Sequence, residues 1–293
     1  MKYSYYPGCS LKGTGKAYEE SVLAIFETMG VEANEIDDWN CCGATAYMGV
    51  DESMAFGLAG RNLALAEREG ATDVVVPCNA CYLSLNKANK YIEEYPQVKE
   101  KTDKALAAGG LKYGGSLKVR HPLDVFVNDI GLSRIKDAVK TPLKDLKVAP
   151  YYGCQIVRPY AAFDSQRNPT SMDQLLDVLG ADVVDYPLKT RCCSGSQTGS
   201  LPEVGLRLVY ILLKEAKRRG ADVIVTICPL CQFNLESYQD EVSKRYKEDL
   251  AIPILYFTQV MGLALGLSAQ KVGLTRNLVH VFPTLDKREV GHV

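Results

Sequence analysis

The chain lacks a charge imbalance and is poor in histidine and tryptophan. Its 293 residues include 34 basic and 35 acidic side chains, three histidines and one tryptophan. Because it has no basic excess to displace counterions from phosphates, the composition argues against a nucleic-acid-binding protein. A hydrophobic fraction of 47% with balanced charge excludes a disordered chain. At this length we expect about two domains.

The sequence also lacks a secretory signal and a membrane span. Residues 1–9, MKYSYYPGC, contain no apolar core of the kind that a signal peptide needs. The most apolar stretch, residues 251–267, is interrupted by Pro253, Thr258 and Gln259 and is shorter than the ~20 residues of a spanning helix. We interpret it as a buried strand followed by a helix. We therefore expect a cytoplasmic protein, in which ten reduced cysteines indicate metal or redox chemistry and not disulfides.

What the chain does contain is an internal repeat. Residues 70–81, GATDVVVPCNAC, return 150 positions later as residues 220–231, GADVIVTICPLC. The cysteine pair at 41–42 returns at 192–193, and the YYPGC of the first half returns as YYGC. The chain is therefore expected to be a tandem duplication.

The repeat predicts where the two domains lie. We expect a first cysteine-rich domain at residues 1–146 and a second at residues 147–293. The first contains an insertion rich in Lys and Gly around residues 97–116. The second ends in a tail, residues 271–293, which lies outside the repeat and which we expect to dock a partner or to be loosely ordered.

Predicted strands alternate with predicted helices in both halves. The strands are predicted at 2–6, 73–76 and 223–227, and the helices at 16–29, 52–69, 82–94, 171–179, 201–219 and 233–247. This alternation predicts an α/β fold, a tandem duplication of a Rossmann-like parallel-sheet domain whose halves are related by a pseudo-twofold. Sites in such sheets gather beyond the carboxyl ends of strands. Cys9, Cys78, Cys154 and Cys228 each follow a predicted strand, which favours a functional role for them.

Every cysteine belongs to one of two sets with matching spacing. The first set is Cys9, Cys41, Cys42, Cys78 and Cys81, and the second is Cys154, Cys192, Cys193, Cys228 and Cys231. Small buried hydrophobic cysteines would not group in this way. Since adjacent residues of a strand point to opposite faces, each Cys-Cys pair can reach one metal group only from a turn. Gly43 and Gly195 are expected to supply the backbone freedom for those turns.

The residues alone leave the type of metal open. Structural zinc takes four Cys or His ligands, whereas each half offers five cysteines and no duplicated histidine. Soft thiolates otherwise select copper or iron–sulfur clusters. A cubane cluster commonly uses a tight C-x2-C-x2-C run, which is absent here. Five thiolates would suit an unusual cluster in which one sulfur bridges or one iron binds two thiolates.

The motif of one cysteine, a CCG-type pair and a C-x-x-C, present twice, resembles the cysteine-rich CCG domain of the heterodisulfide reductase B subunit over nearly the whole chain. This resemblance implies two non-cubane [4Fe-4S] clusters, one held by the cysteines of each set. The second set departs from the pattern, because Cys192-Cys193-Ser194-Gly195 places the glycine one position late. The family also includes thiol:fumarate reductases and iron–sulfur subunits of glycolate and lactate oxidases.

The resemblance further implies an iron–sulfur catalytic subunit, an oxidoreductase that reduces a disulfide of the CoM-S-S-CoB type to two thiols in anaerobic methanogenesis. The implied partners are a ferredoxin-like iron–sulfur subunit of the C type and a flavin-containing, electron-bifurcating subunit of the A type. We hypothesise that the disulfide binds between the two halves. The alternative is an electron-transfer subunit of a related bacterial complex, such as a dehydrogenase, sulfur-carrier or aromatic acyl-CoA system, with another substrate.

Charged and aromatic residues flank the cysteines. Four cationic side chains are candidates for binding an anionic substrate tail, namely Lys12, Lys16, Arg158 and Arg191. The alternative for these four is solvated surface charge or charge balance for the clusters. The tyrosines before the first cysteine of each half, at 5–6 and 151–152, are expected to wall the clusters and not to act as acids.

Overall fold

Two four-stranded parallel sheets organise the chain in the computed structural model, which describes residues 1–44 and 46–288. The strands are β1 (Lys2–Tyr5), β2 (Glu32–Glu35), β3 (Asp73–Val75), β4 (Lys118–Arg120), β5 (Lys147–Tyr151), β6 (Asp182–Val183), β7 (Val223–Thr226) and β8 (Ile254–Tyr256). The strand orders are β2-β1-β3-β4 and β6-β5-β7-β8, so the second sheet repeats the order of the first. The predicted α/β fold with a duplicated parallel-sheet domain is confirmed.

Helices connect the strands, as parallel pairing requires. They are α1 (Gly8–Leu11), α2 (Lys16–Thr28), α3 (Ala46–Val50), α4 (Glu52–Arg68), α5 (Asn79–Glu94), α6 (Pro96–Ala108), α7 (Pro122–Asp124), α8 (Leu132–Ala138), α9 (Ser171–Val178), α10 (Pro202–Arg218), α11 (Pro229–Ser237), α12 (Gln239–Tyr246), α13 (Phe257–Ala264) and α14 (Phe282–Lys287). A π-helix spans Val125–Gly131, and a 3₁₀-helix spans Leu274–Arg276. Local signals explain the boundaries. Asp51 caps α4 by accepting a bond from the Met54 amide, and Pro202 opens α10.

Two helices begin earlier than the sequence indicates. Helices were expected to start at residues 82 and 233, but α5 begins directly after Cys78 and α11 directly after Cys228. Both cysteines have extended backbone angles and occupy the N-cap position, so each C-x-x-C motif lies within the first turn of a helix. The predicted helix at 233–247 is two helices, since Tyr238 (φ −101°, ψ 6°) separates α11 from α12.

The chain forms two compact units. The first comprises residues 1–12 and 26–122, and the second comprises residues 13–25 and the chain from Leu123 onward. The first turns of α2 belong to the second unit because Tyr18 stacks on Tyr256, with ring centroids 4.4 Å apart. This division by packing does not follow the repeat, whose boundary at 146–147 stays a prediction.

The tail packs on the second unit as far as residue 288. Val272, Leu274, Val281 and Leu285 are all buried. Arg276 forms a bidentate ion pair with Glu20, with N–O distances of 2.7 and 2.8 Å. The described part of the tail is therefore ordered on its own unit and is not the loose segment expected as one alternative, whereas docking of a partner stays a prediction; residues 289–293 lie outside the described part.

The apolar stretch at 251–267 forms β8 and α13, as predicted, and every residue of α13 is buried. None of the helices within residues 1–44 and 46–288 combines the length and the hydropathy of a membrane span.

Candidate metal centres

The two predicted cysteine sets come together as two groups, one in each unit. All ten cysteines are free thiols. In both units the single cysteine and the C-x-x-C motif follow neighbouring central strands of the sheet, β1 and β3 or β5 and β7. The Cys-Cys pair lies on a third loop, which follows β2 or β6, at the same edge of the sheet. Each group therefore lies where parallel sheets place their sites.

In the first group the sulfur atoms of Cys42 and Cys81 are 3.2 Å apart. Cys78 interacts with Cys81, and Cys41 interacts with both Cys42 and Cys9. Cys42, Cys78 and Cys81 are buried, whereas Cys9 and Cys41 are exposed. The group thus has a buried side and a side open to solvent.

The second group repeats this arrangement. The sulfur atoms of Cys193 and Cys231 are 3.4 Å apart. Cys154 interacts with Cys192, and Cys228 interacts with Cys231. Cys193, Cys228 and Cys231 are buried, Cys192 is exposed and Cys154 is half-buried. The late glycine of the second motif has not prevented the five cysteines from gathering.

The two Cys-Cys turns form with different residues. Gly43 adopts the left-handed conformation (φ +75°) in the first unit, as expected. In the second unit Ser194 occupies the same position and adopts it (φ +66°), so Gly195 is not the source of the turn. A Cβ atom at Gly195 would instead lie 2.9 Å from the Leu230 side chain and 3.3 Å from the Cys193 sulfur. Gly195 is therefore required because a side chain at this position would collide with Leu230.

Main-chain N–H groups of the turns point at sulfur. The Ser194 amide lies 3.2 Å from the Cys192 sulfur, and the Gly195 amide lies 3.3 Å from the Cys193 sulfur. In the first unit the amides of Gly43 and Ala44 bond to Cys41 and Cys42, and each of these bonds acts to lower the pKa of its cysteine. N–H donors of this kind stabilise the negative charge of thiolates.

The first cysteine of each set is preceded by a glycine that approaches sulfur closely. Gly8 has φ +70°, and a Cβ built on it would lie 2.9 Å from the Cys81 sulfur. Gly153 has φ +71°, and its Cβ would lie 3.0 Å from the Cys231 sulfur. Only glycine can hold the backbone in this conformation at this distance from sulfur.

Tyrosines line both groups. The Tyr6 hydroxyl donates a 2.7 Å bond to the carbonyl of Asn40, and the Tyr151 hydroxyl donates a 2.7 Å bond to the carbonyl of Arg191. Burial first, and then the neighbouring cysteine thiolates, raise the pKa of both phenols. Both side chains therefore stay protonated, in keeping with a wall and not with an acid. Tyr152 bonds instead to Asp173.

Two buried polar residues that the sequence pattern did not indicate, Ser84 and Asn234, hold the Cys-Cys turns. The Ser84 hydroxyl donates to the carbonyl of Cys42, and the Asn234 side-chain amide donates to the carbonyl of Cys193, both at 2.8 Å. The two residues lie 150 positions apart, the offset of the repeat. A polar side chain at the same position of the buried helix face in both copies is the signal that would have found them.

The two candidate lysines are held by carboxylates of their own units. Lys12 pairs with Glu35 at 2.7 Å, and Lys16 pairs with Glu19 at 2.5 Å. Both ammonium groups are thus engaged by carboxylates, that of Lys16 by the buried Glu19.

The two candidate arginines lie beside the second cysteine group. Arg158 donates to the carbonyl of Thr190. Together with a hydrogen bond from Cys154 and the Ser194 amide, its charge lowers the pKa of Cys192 from 9.0 to about 6. The Arg191 side chain is exposed and has no ion-pair or hydrogen-bond partner within residues 1–44 and 46–288. The role of the two arginines in binding an anion stays a prediction.

The donor set fits an iron–sulfur group. Hydrogen bonding of the Cys81 thiol to Cys42 and Cys78, together with burial, raises the pKa of Cys81, and hydrogen bonding to Cys193 and Cys228 with burial raises the pKa of Cys231 in the same way. A cationic metal group would relieve this crowding of thiolates. Across the described residues, no three His, Cys, Asp or Glu side chains converge as ligands of a single ion would. The ligands of a cluster of several irons bind different atoms, and so do not need to meet at one point.

Comparison with known proteins identifies a family whose model covers both cysteine sets. The CCG family, described as a cysteine-rich domain, matches residues 3–86 and 148–236. The chain is 33% identical over 280 residues to the 8-methylmenaquinol:fumarate reductase membrane anchor subunit of Wolinella succinogenes, covering 95% of this chain and 97% of that protein. It is 32% identical over 296 residues to the B subunit of the ferredoxin/F(420)H(2)-dependent CoB-CoM heterodisulfide reductase of Methanosarcina acetivorans, covering 98% and 96%.

Another relative and a solved structure agree with this result. A protein of Archaeoglobus profundus, named as similar to the heterodisulfide reductase B subunit, is 32% identical and covers 93% of both chains. A crystal structure of a hypothetical protein from Helicobacter pylori has a TM-score of 0.76 at 16% identity, covering 95% of this chain and 52% of that chain, which supports the fold alone. The chain belongs to the cysteine-rich CCG-domain family that includes the B subunits of heterodisulfide reductases.

Proposed function

We propose that this chain is the disulfide-reducing iron–sulfur subunit of a heterodisulfide reductase-like complex, acting on a disulfide of the CoM-S-S-CoB type. The observation that carries the proposal is the duplicated construction of the site. Both cysteine groups have a sulfur pair at 3.2 or 3.4 Å, a glycine against sulfur and buried donors on the Cys-Cys turn. Two sites of the same construction suit a reaction that needs one electron from each of two similar redox groups.

The reaction has that requirement. Reduction of RS–SR′ consumes two electrons and two protons and releases RSH and R′SH. Each of two non-cubane [4Fe-4S] clusters, when bound, would supply one electron. The first would be held by Cys9, Cys41, Cys42, Cys78 and Cys81, and the second by Cys154, Cys192, Cys193, Cys228 and Cys231.

The residues around the cysteines have their own tasks in this proposal. The exposed residues Cys9, Cys41 and Cys192 mark the side that a substrate can reach. Arg158 and Arg191 would attract an anionic tail on the substrate through charge-assisted hydrogen bonds. The protonated walls of Tyr6 and Tyr151 exclude water from the buried side of each group.

We propose that the chain works in the cytoplasm with two partners, a ferredoxin-like iron–sulfur subunit of the C type and a flavin-containing, electron-bifurcating subunit of the A type. The relatives are named as subunits, which supports work in a complex. Ten free thiols are in keeping with a reducing compartment.

Turnover of the purified holoprotein tests the proposal. Under anaerobic conditions, a reduced dye and the mixed disulfide should give two thiols per disulfide consumed. The Cys42→Ser and Cys193→Ser variants should each stop thiol release, because each removes one buried ligand from one site. Full turnover by either variant would contradict the proposal.

A second candidate is an electron-transfer subunit that does not itself bind a disulfide. The 33% identity over 95% of the chain to a subunit of an 8-methylmenaquinol:fumarate reductase favours it. In that case a menaquinol analogue should reduce the iron–sulfur groups, whereas the mixed disulfide should not reoxidise them. Reoxidation by the disulfide, followed optically, decides between the two candidates.

A further inference from the structure

The peptide bond that leaves each Cys-Cys pair is held at both ends. Its carbonyl belongs to the second cysteine, and its N–H belongs to the residue that follows. In the first unit, Ser84 donates to the Cys42 carbonyl at 2.8 Å, and the N–H of Gly43 bonds to the Cys41 sulfur. Because C=O and N–H of a trans peptide point in opposite directions, fixing the carbonyl on Ser84 turns the N–H toward sulfur.

The second unit achieves the same orientation with another residue type. Asn234 donates to the Cys193 carbonyl at 2.8 Å. The N–H at the other end of that peptide, from Ser194, lies 3.2 Å from the Cys192 sulfur. A hydroxyl in one copy and an amide in the other thus make one and the same bond.

Burial of both donor side chains has a desolvation cost. Ser84 is 3% exposed and Asn234 is 2% exposed. A buried polar side chain costs free energy unless it is hydrogen-bonded, and an apolar residue would fill the same space without that cost. The position nevertheless holds a donor in both copies, and in both copies the donor meets the same carbonyl.

We propose that Ser84 and Asn234 are positioning residues that tune the reduction potential of the two iron–sulfur groups, by directing one turn N–H at one cysteine sulfur in each unit. The inference rests on the proposed function in that the cysteines hold a redox group. An N–H···S bond stabilises the more negative, reduced state, so hydrogen bonds to sulfur raise the potential of an iron–sulfur group. Without the donor, the peptide is free to rotate and the bond weakens.

Redox titration of the intact holoprotein, followed by electron paramagnetic resonance, tests the inference. Ser84→Ala removes the hydroxyl with almost no change in volume, and Ser84→Thr keeps it. Asn234→Leu removes the amide while it keeps the number and branching of the side-chain heavy atoms. Its matched control is Gln239→Leu, which removes another buried amide of the same unit, one that donates to the Ile252 carbonyl at 2.8 Å and lies on α12.

The expected result is selective. Ser84→Ala should shift one of the two reduction transitions to more negative potential with the iron content unchanged, and Ser84→Thr should restore it. Asn234→Leu should shift the other transition, and Gln239→Leu should shift neither. If Asn234→Leu loses its group, the Ser84 pair decides the question.

Two results would overturn the inference. One is full iron content with unshifted potentials in Ser84→Ala, and the other is a shift in Ser84→Ala that Ser84→Thr fails to restore. Both are distinct from failure of the proposed function, which appears in the unsubstituted protein as absence of iron or of thiol release. Absence of iron would overturn the inference as well, since no group would be present to tune.

Discussion

The sulfur atoms of Cys42 and Cys81 lie 3.2 Å apart although 39 positions separate the two residues along the chain. Cys193 and Cys231, 38 positions apart, meet at 3.4 Å in the other unit. Two loops that follow different strands must fold correctly to bring each pair of sulfurs together. Since the chain does so twice, the pairing of sulfurs belongs to the repeat and not to a local accident of packing.

Removal of one sulfur from one pair should empty one site only. Cys42→Ser takes away a buried ligand of the first group and leaves the second group untouched, and Cys193→Ser does the reverse. We expect each variant to retain about half of the iron and sulfide, because each cluster depends on its own thiolates. Iron and sulfide analysis of anaerobic preparations measures this. Retention of the full complement by both variants would show that these cysteines are not ligands.

The glycine that touches sulfur should be distinguishable from a glycine that does not. Gly153→Ala and Gly220→Ala both place a side chain in a left-handed conformation, at φ +71° and +74°, and each should cost about 1–2 kcal/mol in the free energy of unfolding. Only at Gly153 would the new Cβ meet a sulfur, that of Cys231 at 3.0 Å, whereas nothing lies within 4 Å at Gly220.

We therefore expect Gly153→Ala to lose iron from the second site and Gly220→Ala to keep it, at similar thermal stabilities. Iron analysis beside calorimetry tests this. Equal iron content in the two variants would mean that the contact between Gly153 and sulfur has no effect on the site.

Arg158 should affect the acidity of Cys192 in metal-free protein. The pKa of Cys192 falls from 9.0 to about 6, through a hydrogen bond from Cys154, the Ser194 amide and the charge of Arg158. The thiolate is therefore populated above a pH of about 6. Arg158→Met should move the midpoint of the alkylation rate to higher pH, toward the ordinary value.

The corresponding cysteine of the first unit serves as the internal control. Hydrogen bonding with Cys42 and burial raise the pKa of Cys41, so it should react more slowly than Cys192 near pH 7. Pulsed alkylation read by peptide mass spectrometry measures both residues in one sample. An unchanged midpoint for Cys192 in Arg158→Met would show that Arg158 does not lower the pKa of this cysteine.

Arg191 should contribute to the KM for an anionic substrate, whereas Lys16 should contribute little. A charge-assisted hydrogen bond is worth about 1.5–3 kcal/mol, so Arg191→Gln should raise KM for an anionic disulfide about tenfold or more, with kcat unchanged. Lys16 is already paired with Glu19 at 2.5 Å, and Lys16→Gln should change KM little. A neutral disulfide should not distinguish the variants. Equal KM values for the anionic substrate would place Arg191 among ordinary surface charges.

Much of this architecture can be predicted from the sequence because the internal repeat is directly recognisable in it. The match of residues 70–81 to 220–231 places a strand, a C-x-x-C and a helix start in both halves, and the parallel sheets follow from the alternation of elements. Spacing also separates the ten cysteines into the two groups that the structure brings together.

Other features depend on tertiary contacts that no local pattern reveals. The repeat places the starts of helices α5 and α11 near the C-x-x-C motifs but not their first residues, which directly follow Cys78 and Cys228, because Cys is not a typical cap. Ser194 adopts a left-handed conformation that sequence reasoning reserves for glycine, and Gly195 is required by the proximity of Leu230. The roles of Ser84 and Asn234 appear only once their carbonyl partners, distant in sequence, are in place.

Anaerobic purification followed by iron and sulfide quantification, with electron paramagnetic resonance of the reduced protein, tests the central claim most directly. Two [4Fe-4S] clusters predict about eight iron and about eight sulfide per chain, a brown colour and two reducible signals. A colourless protein with little metal, or one that contains only zinc, would contradict the account.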